Sequence, residues 1–99
     1  MSIRAVMMDS KDNVATLLSD IEVGAVVVVT SVDGKVVKEM KAAQSIPFGH
    51  KIAIARIGKN ELMLKYGEVI GEATEPIEEG EHVHVHNVKS LRARVEPKI

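Results

Sequence analysis

Hydrophobic residues follow two patterns along this chain. Val14, Leu17, Leu18 and Ile21 stand at i, i+3, i+4 and i+7, the spacing of one face of a 3.6-residue period. This predicts one short N-terminal helix, with Ser10 or Asp12 able to cap its start and Gly24 just past its end. Beyond it the apolar residues come in short β-branched or alternating runs, which predict strands. AVVVVTSV (25–32) and KVVKEM (35–40) flank Asp33-Gly34, a dipeptide suited to a hairpin turn. In KIAIARI (51–57), Ile52, Ile54 and, less cleanly, Arg56 alternate with Ala53, Ala55 and Ile57. ELMLKYG, EVIGEAT and EHVHVHNV give three further short segments.

A phrase recurs between these segments. Ile21-Glu-Val-Gly24, Ile46-Pro-Phe-Gly49, Ile57-Gly-Lys-Asn60 and Ile77-Glu-Glu-Gly80 share one form: an Ile, two residues, then a Gly or Asn. Gly and Asn tolerate a left-handed backbone, so four turns of one type are expected, each pinned by an apolar anchor and feeding a strand. Their intervals are irregular, which argues against a solenoid repeat. The expected architecture is a mainly β domain, strongly bent, with one appended helix.

With 99 residues the chain makes one domain, residues 1–99, near the lower limit for an adequate core. Phe48 and Tyr66 are its whole aromatic complement, so aliphatic residues and Met must fill a thin core, and a partner is a natural source of added stability. A net charge of −1 without a basic tract argues against nucleic acid as the main ligand. The absence of cysteine removes disulfides, thiol nucleophiles and thiolate metal sites, and fits a cytoplasmic protein. The longest apolar run, around Val26 to Val29, is far too short to span a membrane. The N-terminus turns acidic too early for a signal peptide.

Candidate chemistry concentrates in HVHVHN (82–87), which holds three of the four histidines. On a straight strand His82, His84 and His86 share one face, roughly 6.5–7 Å apart in sequence order, with Val83 and Val85 on the core side. His82 and His86 would then be about 13 Å apart, too far to share one ion. A neighbouring pair such as His84 and His86 could hold a metal only with ligands from elsewhere, and His50 would qualify only if the fold brings it near. The same imidazoles suit acid/base work without metal, or form a histidine-rich strand surface. Gly49-His50-Lys51 could hold a carboxylate or phosphate, or be a turn with two solvated side chains. Lys65-Tyr66-Gly67 offers a cation and a phenol, although Tyr66 could equally be a core ring. No nucleophilic triad, phosphate-binding loop or carboxylate pair is recognisable, so a complete active site within this chain is not expected.

DNVATLL (12–18), IPFGHKIAI (46–54), KYGEVIGEAT (65–74) and GEHVHVHN (80–87) resemble, in that order, the SAF domain of the altronate/galactarate dehydratase family. The resemblance implies a β-clip fold and a small domain that works beside a much larger catalytic region. By that resemblance the chain is a small accessory subunit of a two-chain hydroxy-acid lyase. The first expectation is the altronate dehydratase type, which removes water from a sugar acid, with iron implied for the complete complex and no metal held by this chain alone. The second is the (R)-sulfolactate sulfo-lyase type, which eliminates sulfite to leave pyruvate. A different class stays open: a free-standing ligand-binding or structural module. The residues expected to do the lyase work are His84 and His86 first, as proton-transfer groups with metal ligation the lesser option, then His50, Lys51, Lys65, Tyr66, His82 and Asn87 as substrate contacts. Residues 89–99, with Arg92, Arg94 and Lys98 near Leu91 and Val95, form either a docking tail for the large partner or a solvated terminus.

Overall fold

The computed structural model describes residues 3–91. Its strands are β1 (Ile3–Met7), β2 (Val14–Leu17), β3 (Val26–Ser31), β4 (Val36–Lys41), β5 (Lys51–Ala53), β6 (Leu62–Lys65), β7 (Glu68–Ala73), β8 (His82–Val83) and β9 (Val88–Ser90). Six of them form one sheet in the order β4-β3-β1-β2-β5-β8, and three form a second in the order β6-β7-β9. β1 and β3 run parallel; every other pairing is antiparallel.

The mainly β expectation holds, and so does the hairpin at Asp33-Gly34. Gly34 takes a φ of 88°, and its N–H donates to Ser31 O while Lys35 O accepts from Ser31 N. The N-terminal helix does not form. Residues 14–17 are strand β2, lying between β1 and β5. Val14, Ala15 and Leu17 are all buried, because both faces of this central strand are covered. A strand covered on both faces shows no period-2 alternation, and its apolar run can mimic a helical stripe. Leu18, counted in that stripe, is exposed, and Asp12 caps no helix. Strand β1, which the apolar pattern did not single out, fills the sheet centre through buried Ala5 and Met7.

The four Ile-x-x-Gly/Asn phrases form one kind of turn. Gly24, Gly49, Asn60 and Gly80 have φ of 87°, 84°, 71° and 89°, and all four isoleucines are buried. Each turn docks through a reciprocal pair of backbone bonds. Gly24 N–H donates to Ala42 O and Ala42 N–H to Ala25 O; Gly49 and His50 treat Leu17 in the same way. Asn60 and Glu61 bracket Ala73, and Gly80 and Glu81 bracket Ala53. The turns are coupled in pairs by the bridges Ile21↔Ile46 and Ile57↔Ile77. Within a pair, each turn docks four residues ahead of the other turn's isoleucine. The irregular intervals therefore conceal two interlocked pairs.

Two aliphatic clusters result. One gathers Leu17, Ile21, Val27, Val29, Ile46 and Ile52; the other gathers Val14, Ile57, Met63, Ala73, Ile77 and Val83. Phe48 and Tyr66 are 64% and 58% exposed, so neither core contains an aromatic ring. Among the described residues no helix is long and apolar enough to cross a membrane. Lys89 and Ser90, the start of the expected tail, belong to β9; Arg92, Arg94, Val95 and Lys98 lie outside the described residues.

The Asp12-Asn13 pair joins the two sheets. β6 and β7 make a hairpin whose tip, Tyr66-Gly67, has φ of 58° and 73°, the paired left-handed geometry of a two-residue hairpin turn. Asp12, 6% exposed, accepts the N–H of Tyr66 at 3.0 Å and of Gly67 at 2.8 Å. Asn13 accepts from Leu64 N and donates to Leu62 O, both at 2.9 Å.

Candidate functional site: a histidine cluster beside a lysine-rimmed cavity

Strand pairing builds the site. β5 and β8 run antiparallel with Lys51 opposite Val83 and Ile52 opposite His82, a register that brings His50 opposite His84. Directly opposed side chains lie within about 5.5 Å at Cβ, so two histidines far apart in sequence become neighbours. The His50 and His84 rings stack with centroids 4.5 Å apart, and His82 lies 5.1 Å from His50 and 5.4 Å from His84. His50 Nδ1 and His82 Nε2 are 2.9 Å apart.

The segment 82–87 is not a straight strand. β8 ends at Val83, and the chain turns so that the N–H groups of Asn87 and Val88 both donate to His84 O. Asn87 is the clasp of this turn. Buried itself, it accepts from His84 N at 3.0 Å and donates through Nδ2 to His82 O at 2.8 Å. Val83 faces the core as expected, whereas Val85, expected beside it, is 82% exposed at the turn. The bend also brings the His86 ring to 5.2 Å from that of His82, in place of the 13 Å expected along a straight strand.

A cavity of about 310 Å³ opens next to the cluster, with Lys51, Val83, His84, Val85, Met63 and Val88 in its wall. Its lining is mostly apolar, with Lys51, His84 and Ser90 as the polar members. Burial, and after it the charge of Lys65, lowers the Lys51 ammonium below its ordinary 10.5. Partial loss of water is also the largest cause that holds His82 and His84 below the usual 6.5. Charge on His50, His86 and His84 adds to it at His82; charge on His50, Lys51 and His86 adds to it at His84. Both imidazoles are therefore biased to the neutral form, in which a ring nitrogen can accept a proton or bind a cation.

Of the residues singled out from sequence, His50, His82, His84 and Lys51 come together, and His86 stands at the edge beside His82. Lys65 and Tyr66 sit at the β6–β7 hairpin tip, the Lys65 ammonium 5.4 Å from the Tyr66 ring centre. Lys65 is linked to the site through its repulsion of Lys51. Both amide atoms of Asn87 are engaged inside the turn. Sequence reading missed Asp12 as the anchor of the hairpin that carries Lys65, since no local signal ties it to a partner 54 residues away.

One nitrogen from each of His50, His82 and His84 lies within 4.8 Å of the others. Three imidazoles without a carboxylate suit a borderline first-row cation such as zinc or ferrous iron, and do not suit calcium or magnesium. The residues fit such an ion.

The sequence profile of the altronate/galactarate dehydratase SAF domain matches residues 3–91. The (2R)-sulfolactate sulfo-lyase subunit alpha of Chromohalobacter salexigens is 37% identical over 93 residues, 93% of this chain and 99% of that protein. The subunit of the same name from Paracoccus pantotrophus is 40% identical over 53 residues, 54% of this chain and 79% of that protein. The altronate dehydratase of Bacillus subtilis is 38% identical over 85 residues, 86% of this chain but 16% of that protein. This chain thus spans nearly all of the first relative and about a sixth of the dehydratase. It belongs to the altronate/galactarate dehydratase SAF-domain family.

Proposed function

We propose, from that family membership, that this chain is the small subunit of a two-chain lyase acting on a 2-hydroxy acid, with (2R)-sulfolactate the first substrate to test and altronate the second. The observation that carries the reading is the open cluster of His50, His82 and His84 beside the Lys51-rimmed cavity. It is one wall of a site whose other wall belongs to a large catalytic partner. Near-complete coverage of a sulfo-lyase alpha subunit supports the two-chain organisation and moves sulfolactate ahead of altronate. The two mutually repelling lysines also suit a substrate with two anionic groups better than a sugar acid with one. The reciprocally docked turns support reading the fold as a β-clip.

The reaction class fits these groups. Loss of the α-proton and of a group on the β-carbon gives an enol, which becomes a 2-keto acid. From sulfolactate the products are pyruvate and sulfite, and from altronate a 2-keto-3-deoxy acid and water. A carboxylate arriving at Lys51 relieves both penalties on that ammonium, its burial and its repulsion from Lys65. His84, on the cavity rim and biased neutral, is placed to take or return a proton. Iron is part of the proposal for the complete complex, where it would supply Lewis-acid polarisation of substrate oxygens.

Co-purification of the tagged chain from its native host, followed by assay of the recovered complex, tests the reading. The expected result is a large dehydratase-like chain in stable complex and release of sulfite from (2R)-sulfolactate. Release of water from altronate instead would keep the two-chain lyase and exchange its substrate. Recovery of the chain alone would overturn the proposal in favour of a free-standing module.

A further inference from the structure

We propose that His50, His82 and His84 form a binding site for one borderline divalent cation, such as Zn²⁺, Co²⁺ or Fe²⁺, held by this chain without its partner. The inference concerns only residues of this chain and does not depend on which substrate is bound; an ion held through His84 takes the lone pair that proton transfer needs, so the proton-transfer role belongs to the chain without the ion. His50 Nδ1 and His82 Nε2 face each other at 2.9 Å. At that distance two lone pairs repel, so the nitrogens either share one hydrogen or turn both lone pairs to a cation. Bonds of about 2.0–2.1 Å to one ion hold adjacent ligand nitrogens roughly 2.9–3.4 Å apart, so this pair is already spaced as two ligands. The third nitrogen lies within 4.8 Å of the other two, and the His84 ring, stacked on His50 and His82, has to turn toward them to share the ion.

The backbone holds the three rings in place. The β5–β8 register fixes His50 against His84, and Gln44 Oε1 accepts the His82 N–H at 2.7 Å. Asn87 clamps the backbone at both His82 and His84. Three imidazoles leave at least one coordination position open. Lys51, the cation beside His84, disfavours a bare ion and favours one that carries an anion at that position. The site is therefore suited to a metal together with a carboxylate-bearing ligand.

The test uses the full chain, stripped with a chelator and titrated with Co²⁺ followed by absorbance. The expected result is one equivalent bound per chain with a Kd tighter than about 100 μM, undiminished by excess Mg²⁺. His50→Ala and His82→Ala should each weaken binding at least about tenfold, and His86→Ala less than about threefold. Ring ¹⁵N signals of the unaltered chain with Zn²⁺ supply a readout that needs no variant to fold. Coordination shifts are expected at His50, His82 and His84. A Kd of about 100 μM or weaker, a loss in His86→Ala equal to that in His50→Ala, or shifts confined to His84 and His86 would each overturn the proposal.

Discussion

His50 Nδ1 stands 2.9 Å from His82 Nε2 although 32 positions separate the two residues. The contact follows from a strand pairing of a few residues, β5 with β8, and from a turn that Asn87 clasps. Neither histidine belongs to a local motif with the other. Their meeting turns a histidine-rich segment into a cluster with a cavity at its side.

The cluster gives the metal-free chain a pH-dependent stability. His82 and His84 are held below 6.5 in the folded state, first by loss of water and then by neighbouring charge. Below 6.5 the unfolded chain therefore binds more protons at these sites than the folded one, so their contribution favours unfolding as pH falls through that region. With chelator present, Tm should decrease between pH 7.5 and 5.5, and His82→Ala should decrease less steeply. Equal slopes for the two proteins would show that this histidine does not couple to folding.

Asp12 should matter more than its position ahead of a strand suggests. Its buried carboxylate accepts the N–H groups of Asp9, Tyr66 and Gly67 at 3.1, 3.0 and 2.8 Å. Asp12→Ala leaves those donors without their acceptor and should cost about 2–4 kcal/mol in denaturant unfolding. A loss under about 0.5 kcal/mol, the level of ordinary surface changes, would deny Asp12 this anchoring role.

The turns supply an internal comparison. Gly24 and Gly80 have φ of 87° and 89°, so Ala at either bears the same backbone strain, about 1–2 kcal/mol. A Cβ on Gly24 meets nothing within 4 Å, whereas on Gly80 it meets Lys41 O at 2.5 Å and Ala43 N at 3.1 Å. Gly80→Ala should thus be destabilised beyond Gly24→Ala by at least about 1 kcal/mol, the overpacking range. Comparable midpoints for the two variants would mean that turn 77–80 docks more loosely than its bonds to Ala53 and Ala43 imply.

Much of this was legible in the sequence, for local reasons. Asp33-Gly34 and the four Ile-x-x-Gly/Asn phrases carry their geometry in residues that accept a left-handed backbone, so the turns could be read directly. The helix error at Val14–Leu17 arose because a strand buried on both faces loses its alternation. The bend after Val83 was hidden because valine and histidine at alternate positions read as strand, while the Asn87 bonds that stop it are side chain to backbone. The approach of His50 to His82 and His84, and of Asp12 to the Tyr66-Gly67 tip, depends on long-range pairing. No spacing along the chain encodes it.

The central claim, that this chain lends working groups to a lyase site completed by a larger subunit, is tested most directly by the kcat of the reconstituted two-chain complex with His84→Ala. The measurement is made on (2R)-sulfolactate, or on altronate if that is the substrate turned over, with the small subunit at saturation. The expected result is a fall in kcat of about 10²-fold or more, the usual contribution of a proton-transfer group, with the complex intact. Unchanged kcat and KM in an intact complex would contradict it and reduce the cluster to a feature of the strand edge.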